Sequence, residues 1–299
     1  MQVRIAVPAT VANLGPGFDV LALALELQNE VVATQTGDAG IVIDPGPGSP
    51  DELRDPSRNL VARAYTATCA ELGVLPEGLR IECVNRIPFR RGLGSSAAAA
   101  LAGVLCATSL HAAPWDEQRI LEWVSGIEGH PDNAAAALFG GLALVTPGAP
   151  TVNVDVSDEL RAVLFVPAFE LETALARRVV AQAFTREDAI YNAARCALWV
   201  RAVALRDWDT LGTAMQDRWH QPARSALFPA LPELIAAAVD GGARGAALSG
   251  AGPSVVALTD GDPEPVAAAL QACAARCGIA GETITSRVRN WGARVDVSA

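Results

Sequence analysis

Three groups of polar residues sit inside otherwise apolar sequence, and the spacing of each suggests a chemistry. The first is Gly92-Leu93-Gly94-Ser95-Ser96-Ala97. Glycines at 92 and 94 open backbone conformations closed to other residues. The two serines are good helix caps, and the alanine run from Ala97 has high helix propensity. A glycine turn running into a helix start leaves backbone N–H groups and a positive helix end free to hold an anion, usually phosphate. An ordinary strand-to-helix turn that needs glycine accounts for the same residues. The second group is Glu128-Gly129-His130-Pro131-Asp132-Asn133, the densest run of functional side chains in the chain. His130 is one of only 3 histidines, which argues against a zinc site. Glu128 suits Mg²⁺, which takes one or two protein oxygens together with phosphates. The plainer account is a turn in which Asp132 or Asn133 caps a helix from Ala134. The third group is Asn13 and Asp19, set beside core-forming Leu14, Phe18 and Val20. That placement points to a surface cleft, unless each side chain only closes an Asx turn on its own backbone.

The elements around these groups follow from periodicity. Residues 3–8 alternate as a first strand ended by Pro8, and strands follow near 30–36 and 40–44. Asn59–Leu72 has helical spacing. Leu79–Val84 alternates as the strand that feeds the glycine loop, with Pro88 beyond it, and Ser95 to about Leu110 is a helix. An amphipathic helix over Trp115–Ile127 delivers the Glu128 cluster. Pro147-Gly148-Ala149-Pro150 is the best domain boundary. Beyond it the pattern predicts a strand at 161–167 and helices near 171–184, 187–205, 208–218 and 229–240. Gly250 and Gly252 then lie in a strand–glycine loop–strand unit over 244–258, where tight packing or a simple hairpin accounts for them. Helix 262–277 and strands at 281–288 and 292–297 complete an alternating half.

Composition narrows the function classes. With 51% hydrophobic and 19% charged residues the chain supports a large buried core. A net charge of −10 argues against nucleic acid or an anionic membrane as partner. The longest apolar runs, Ala97–Ala107 and Ala134–Val145, fall short of the ~20 residues of a membrane span. The start alternates like a strand instead of carrying a signal peptide's apolar core, so the expected location is cytoplasmic. All 23 basic residues are arginine. Without lysine there is no P-loop lysine, no protein-kinase strand lysine and no Schiff base. Gly92 to Ala97 also lacks the βαβ setting and acidic partner of a dinucleotide fingerprint. The 6 cysteines show no metal spacing; Cys273 and Cys277, four apart on a helix, are expected to be small packed thiols.

Three stretches now stand in order: Pro8 to Asp19, containing Ala12-Asn13-Leu14-Gly15-Pro16-Gly17-Phe18-Asp19; Pro88 to Ala97; and Leu248 to Ser254. Together they resemble the GHMP small-molecule kinase superfamily and, within it, the homoserine kinase family. The middle stretch marks only the superfamily; the Ala12–Asp19 and Glu128–Asn133 stretches carry the narrower resemblance, which runs from Val3 to about Val297. It implies a two-domain α+β fold. Residues 1–150 would form a ribosomal-protein-S5-like domain with the ATP phosphate loop. Residues 151–299 would form a ferredoxin-like domain contributing substrate arginines. ATP would lie on Pro88, Arg90, Arg91, Gly92, Leu93, Gly94, Ser95, Ser96 and Ala97, with Asn59 toward the adenine. Ser96 and Glu128 would hold Mg²⁺. For L-homoserine the resemblance implies Asp19 on the ammonium, and Asn13, His130, Asn133 and Gly250 as further contacts. Thr173 with Arg177 and, in a second motif, Arg224 would bind the carboxylate. Departures are mild: Val11 stands where a small hydroxyl residue is common, and Ala134 where valine is.

The resemblance also implies a mechanism. Some relatives in the superfamily activate the hydroxyl with an aspartate and a lysine; this chain has no lysine and carries Asn133 at the corresponding place. Asparagine takes no proton, so Asn133, Ser96 and Glu128 are expected to act by positioning and charge stabilisation. Asp19 or Asp132 as a base would compete with its other role. Two alternatives remain: a GHMP kinase acting on another alcohol, and a GHMP-fold sensor without activity. Asp19 with two arginines favours a zwitterionic substrate over a sugar or mevalonate. The presence of Ser96, Glu128 and the loop glycines weighs against a sensor. The family also suggests a homodimer.

Overall fold

The computed structural model describes residues 1–76 and 78–298 and arranges them in two sheets. The first sheet starts with a long antiparallel hairpin, β1 (Gln2–Asn13) and β2 (Gly17–Gln35). Sequence reading ends β1 at Pro8; instead the strand passes through it. A register shift between Pro8 and Thr10 bulges the ladder where the proline has no N–H to give. The first half of β2 escapes a period-two reading because Leu21 to Leu25 are buried on both faces. The sheet is extended by β3 (Ile41–Asp44), β4 (Leu79–Val84), β5 (Leu142–Leu144) and β6 (Val152–Val154). Strands β3 and β4 are parallel; the other pairs are antiparallel.

Helices α1 (Leu60–Leu72), α2 (Ser95–Leu110), α3 (Glu117–Glu128) and α4 (Asp132–Phe139) pack on this sheet and on one another. Helix α2 is nearly all small or apolar and is buried through its middle. Gly103 lets α1 approach it closely, since a Cβ there would sit 2.3 Å from the carbonyl oxygen of Val61. Leu101, Val104 and Leu105 bury fully enough to contribute roughly 1.5–3 kcal/mol each. The site-bearing end of α2 is thereby held on a rigid helix.

The second sheet is antiparallel in the order β10-β7-β9-β8, built from β7 (Arg161–Pro167), β8 (Gly245–Leu248), β9 (Val255–Thr259) and β10 (Gly281–Arg287). Helices α5 (Thr173–Arg178), α6 (Arg186–Leu205), α7 (Leu211–Ala214) and α8 (His220–Arg224) lie between its first two strands in sequence. Helices α9 (Leu231–Asp240) and α10 (Glu264–Arg276) pack against it around Val163, Phe165, Leu234 and Leu270. The last strand, β11 (Arg294–Ser298), returns to the first sheet and pairs with β1. Strand β6 and β11 thus belong to the sheet that residues 2–144 begin. One core runs between the sheets: Leu164, Val256, Leu258 and Trp199 join residues of β1, β2 and α2.

Two helices are shorter than periodicity predicts. The 171–184 helix is the single stretch α5, and the 208–218 helix is a 3-10 turn at Trp208–Thr210 followed by α7. Helix α8 is unforeseen; its first turn is tied down by the Asp217 carboxylate, which accepts backbone hydrogen bonds from Trp219, His220 and Gln221.

Candidate active site

A cleft of about 440 Å³ opens between the two sheets. Its walls hold Asn13, Asp19, Arg90, Arg91, Gly92, Leu93, Gly94, Ser95, Ser96, Ala97, Glu128, His130, Asn133, Thr173, Arg177, Arg224 and Gly250. Residues up to 237 positions apart meet here.

The glycine loop forms one wall. Gly94 is the N-cap of α2, in the left-handed region at φ 73, and no side chain caps the helix. Sequence reading makes the serines the caps; in fact Ser95 and Ser96 are already helical, so the backbone N–H groups of the first turn face the cleft unclaimed by any cap. A Cβ on Gly94 would sit 2.0 Å from Thr10 Oγ1, and one on Gly92 2.3 Å from the Ser249 carbonyl oxygen. The turn after β8 clasps the loop from behind: Ser249 Oγ donates to Gly92 O at 2.6 Å, and Ser254 N to Arg91 O at 3.2 Å. Arg91 is spent on structure, donating to the carbonyl oxygens of Pro167, Phe89 and Ala168. Arg90 remains largely exposed beside Glu170.

The Glu128 cluster forms the adjoining wall. Ser96 Oγ donates to Glu128 Oε1 at 2.7 Å, which brings a hydroxyl and a carboxylate oxygen together at the helix start. Burial raises the Glu128 carboxyl pKa, against the opposing Ser96 hydrogen bond and His130 charge. His130 shares its Nδ1 with Asp132 Oδ1 at 2.8 Å. Burial alone would depress the imidazole, but the bond to Asp132 and its charge outweigh that and raise the pKa. Asp132 also accepts from the backbone N–H of Asn133. The Asn133 side chain caps nothing: its Oδ1 accepts from Thr10 Oγ1 at 2.7 Å, which turns the amide N–H₂ outward as a donor. Thr10 went unread in the sequence, because a threonine within a strand carries no local signal of a partner 123 residues away.

The third wall is the Asn13–Asp19 turn. Asn13, Leu14 and Asp19 all have positive φ (70, 49 and 57), a strain that the surrounding contacts hold. Asn13 Nδ2 donates to Gly250 O at 2.9 Å and its Oδ1 accepts from Asp19 N, six residues on, at 3.2 Å, so it closes no Asx turn and instead ties the hairpin turn to the Gly250 loop at the cleft wall. Trp199 Nε1 donates to Leu14 O at 2.9 Å. Asp19 is thereby aimed at Arg177, whose Nη1 and Nη2 donate to its two oxygens at 3.0 and 2.6 Å. That hydrogen-bonded carboxylate raises the Arg177 pKa. Arg224, 2% exposed, reaches the same wall from α8.

Two residues expected at the site lie outside the cleft. Asn59 is the N-cap of α1, accepting from Val61 N and Ala62 N and donating to Leu53 O. Pro88 lines a separate depression with Phe89 and Pro167. An apolar groove of about 580 Å³ runs along α1 through Leu60, Ala64 and Ala67 and ends at Ile127, the neighbour of Glu128. No disulfide forms among the described residues; Cys277 donates to Glu233 and Cys273 is buried.

Residues 59–141 match the family described as GHMP kinases N terminal domain, and residues 199–276 match GHMP kinases C terminal. A homoserine kinase of Microchaete diplosiphon is 37% identical over 296 residues, covering 98% of this chain and 96% of its own. One from Thermus thermophilus is 40% identical over 271 residues, covering 90% and 91%. The solved homoserine kinase of Cytophaga hutchinsonii superposes with a TM-score of 0.87 at 29% identity, over 99% of this chain and 97% of that one. A mevalonate kinase from Methanococcus jannaschii shares the fold at a TM-score of 0.69 and 15% identity.

Proposed function

The chain belongs to the homoserine kinase family of GHMP kinases, and on that premise we infer that its cleft transfers the terminal phosphoryl group of ATP to the side-chain hydroxyl of L-homoserine, a step of threonine biosynthesis. One observation carries the substrate: Asp19, Arg177 and Arg224 line the same cleft as the Gly92–Ala97 loop. A carboxylate answers an ammonium, and guanidinium groups answer a carboxylate with charge-assisted bonds. A sugar or mevalonate, having no ammonium, offers Asp19 no charge partner.

The residues present fit both ligands of the reaction. Gly94 in a left-handed cap, with space that a Cβ would fill, leaves the α2 N–H groups to the phosphates of ATP. The apolar α1 groove, one residue from Glu128, suits the adenine, with Asn59 fixing the start of α1 beneath it. Ser96 Oγ and Glu128 Oε1 offer adjacent oxygens to Mg²⁺ at the start of α2. Bound there, Mg²⁺ would neutralise charge on the transferring phosphoryl group.

The chain's own part is positioning. Asn133, its oxygen held by Thr10, presents an amide donor and no base. Three of the four cleft carboxylates are engaged, Glu128 by Ser96, Asp132 by His130 and Asn133 N, and Asp19 by Arg177, while the fourth, Glu172, is exposed to solvent. The hydroxyl proton then leaves to a phosphate oxygen or to solvent, and the rate comes from orientation and charge stabilisation. Among the described residues no helix is long and apolar enough to cross a membrane. A cytoplasmic setting, supported by six cysteines that form no disulfide among the described residues, and the homodimer suggested by the family complete the proposal.

The test is ADP release from ATP and Mg²⁺ with L-homoserine, beside L-serine, L-threonine, mevalonate and galactose. Turnover restricted to homoserine supports the reading. Turnover with another alcohol keeps the kinase and discards the substrate residues. ATP binding without turnover on any of them makes the protein a sensor.

A further inference from the structure

Arg224 keeps unusual company for a buried cation. Its Nε donates to Ala176 O at 3.1 Å, and its Nη1 to Gly250 O at 2.8 Å and to His220 Nδ1 at 3.1 Å. Among the described residues no carboxylate lies within ion-pair distance of it, although a buried charge usually needs one. Burial and the nearby Arg177 charge pull its pKa down to about 10, which still leaves it protonated at neutral pH.

His220 makes this arrangement workable. It is fully buried, one turn ahead of Arg224 on α8. Its Nε2 lies 2.6 Å from Gly15 O, and a carbonyl oxygen only accepts. Nε2 therefore carries the ring proton, and in a neutral imidazole Nδ1 must be an acceptor. That acceptor faces Arg224. The ring is fully buried and packs against Phe18 with centroids 5.4 Å apart, and the Asp217 carboxylate, which holds the His220 backbone N–H at 2.9 Å, also lies 3.5 Å from Nε2, on the side where the ring proton sits.

We propose that His220 is a positioning residue for substrate recognition. Its neutral Nδ1 holds the Arg224 guanidinium in the cleft without spending its charge, while its Nε2–H ties that guanidinium to the Asn13–Asp19 turn through Gly15. An acidic residue in its place would hold Arg224 equally well but would neutralise it, leaving less for an incoming carboxylate. The two charge partners of a zwitterionic substrate, Arg224 and Asp19, are set in register by one ring. The inference rests on the homoserine reading above and deepens it.

The test measures KM for homoserine, KM for ATP and kcat in wild type, His220→Leu, His220→Asn and His220→Gln, each with circular dichroism and a melting curve. Asparagine places an acceptor near the position of Nδ1; glutamine places a donor near that of Nε2. His220→Leu should raise the homoserine KM by roughly 30-fold, the scale of a hydrogen bond to a charged group, and leave the ATP KM within about twofold. His220→Asn should recover most of that loss and His220→Gln much less. A folded His220→Leu variant with a homoserine KM near wild type, or with ATP KM raised in parallel, overturns the proposal. If leucine prevents folding, the asparagine–glutamine order decides: equal or reversed values overturn it. Wild-type protein that fails to turn over homoserine overturns the functional reading, and this inference with it; homoserine turnover with unaffected variants overturns the inference alone.

Discussion

Asp19 and Arg177 clasp each other across the cleft, with Nη1 on Oδ2 at 3.0 Å and Nη2 on Oδ1 at 2.6 Å. One comes from a strained turn in the first sheet's hairpin and the other from α5, 158 residues later. The pair displays one of each charge that an amino acid carries. On the proposed reading a zwitterion would fit by exchange: its ammonium would take Asp19, its carboxylate would take Arg177 together with Arg224, and the internal bonds of the clasp would be replaced by external ones. A substrate with a single charge breaks the clasp and strands one partner.

The exchange predicts steep discrimination among analogues. 3-Amino-1-propanol lacks the carboxylate and 4-hydroxybutyrate lacks the ammonium. Each should fall at least ~100-fold below homoserine in kcat/KM, consistent with stranding one half of a charged pair. Steady-state rates for the three alcohols check it. Near-equal values for either analogue would show that the clasp stays closed during turnover.

Glu128 separates stability from function. Its raised carboxyl pKa means that the ionised form is disfavoured in the folded protein without a cation. Glu128→Gln keeps the shape and removes the charge, so the ligand-free variant should melt no lower than wild type, and slightly higher. The same variant should need at least ~10-fold more Mg²⁺ for half-maximal activity, as expected for a lost charged ligand. An unaltered Mg²⁺ requirement removes Glu128 from the metal site.

Gly94 has no room for a methyl group. A Cβ would meet Thr10 Oγ1 at 2.0 Å and Asn133 Oδ1 at 3.3 Å, at a φ of 73. Gly94→Ala should cost about 1–3 kcal/mol of stability, the scale of a non-glycine residue in that region, and push apart the Thr10–Asn133 bond. ATP KM should rise, and kcat should fall with it. Gly126→Ala on exposed α3, where nothing lies within 4 Å, is the control and should stabilise by roughly 0.5–1 kcal/mol. Equal melting temperatures for the two alanine variants would refute the packing argument.

What the sequence disclosed here was mostly local. The Gly92–Ala97 loop is readable because glycines, serines and alanines report on their own backbone. Glu128, His130 and Asn133 are readable because they crowd together. Arg177 and Arg224 are ordinary helix residues by every local measure, and only the family resemblance singled them out. Thr10, His220 and Ser249 were missed for the same physical reason: each acts on a backbone or side-chain atom more than 100 positions away, and nothing beside them betrays it. Strand β2 was half missed because burial on both faces erases alternation. Where the chain returns at β11 was also illegible, since Arg294–Ser298 alternates as well for one sheet as for the other.

His220 should also leave a signature in acid. Burial, reinforced by the Arg224 charge, pulls its pKa from 6.5 to about 4, although Asp217, Asp19 and the Gly15 carbonyl act the other way. In the unfolded chain the imidazole takes a proton near 6.5, while the folded one refuses it. Stability from this group is therefore complete above pH 6.5 and is lost as pH falls from there toward about 4. Within that window wild type should lose up to ~1.4 kcal/mol per pH unit more than His220→Asn, the slope of one proton taken up on unfolding. Urea unfolding at pH 7, 6 and 5 measures both slopes. Parallel profiles would mean that His220 is protonated in the fold, and a protonated ring has no lone pair to offer Arg224.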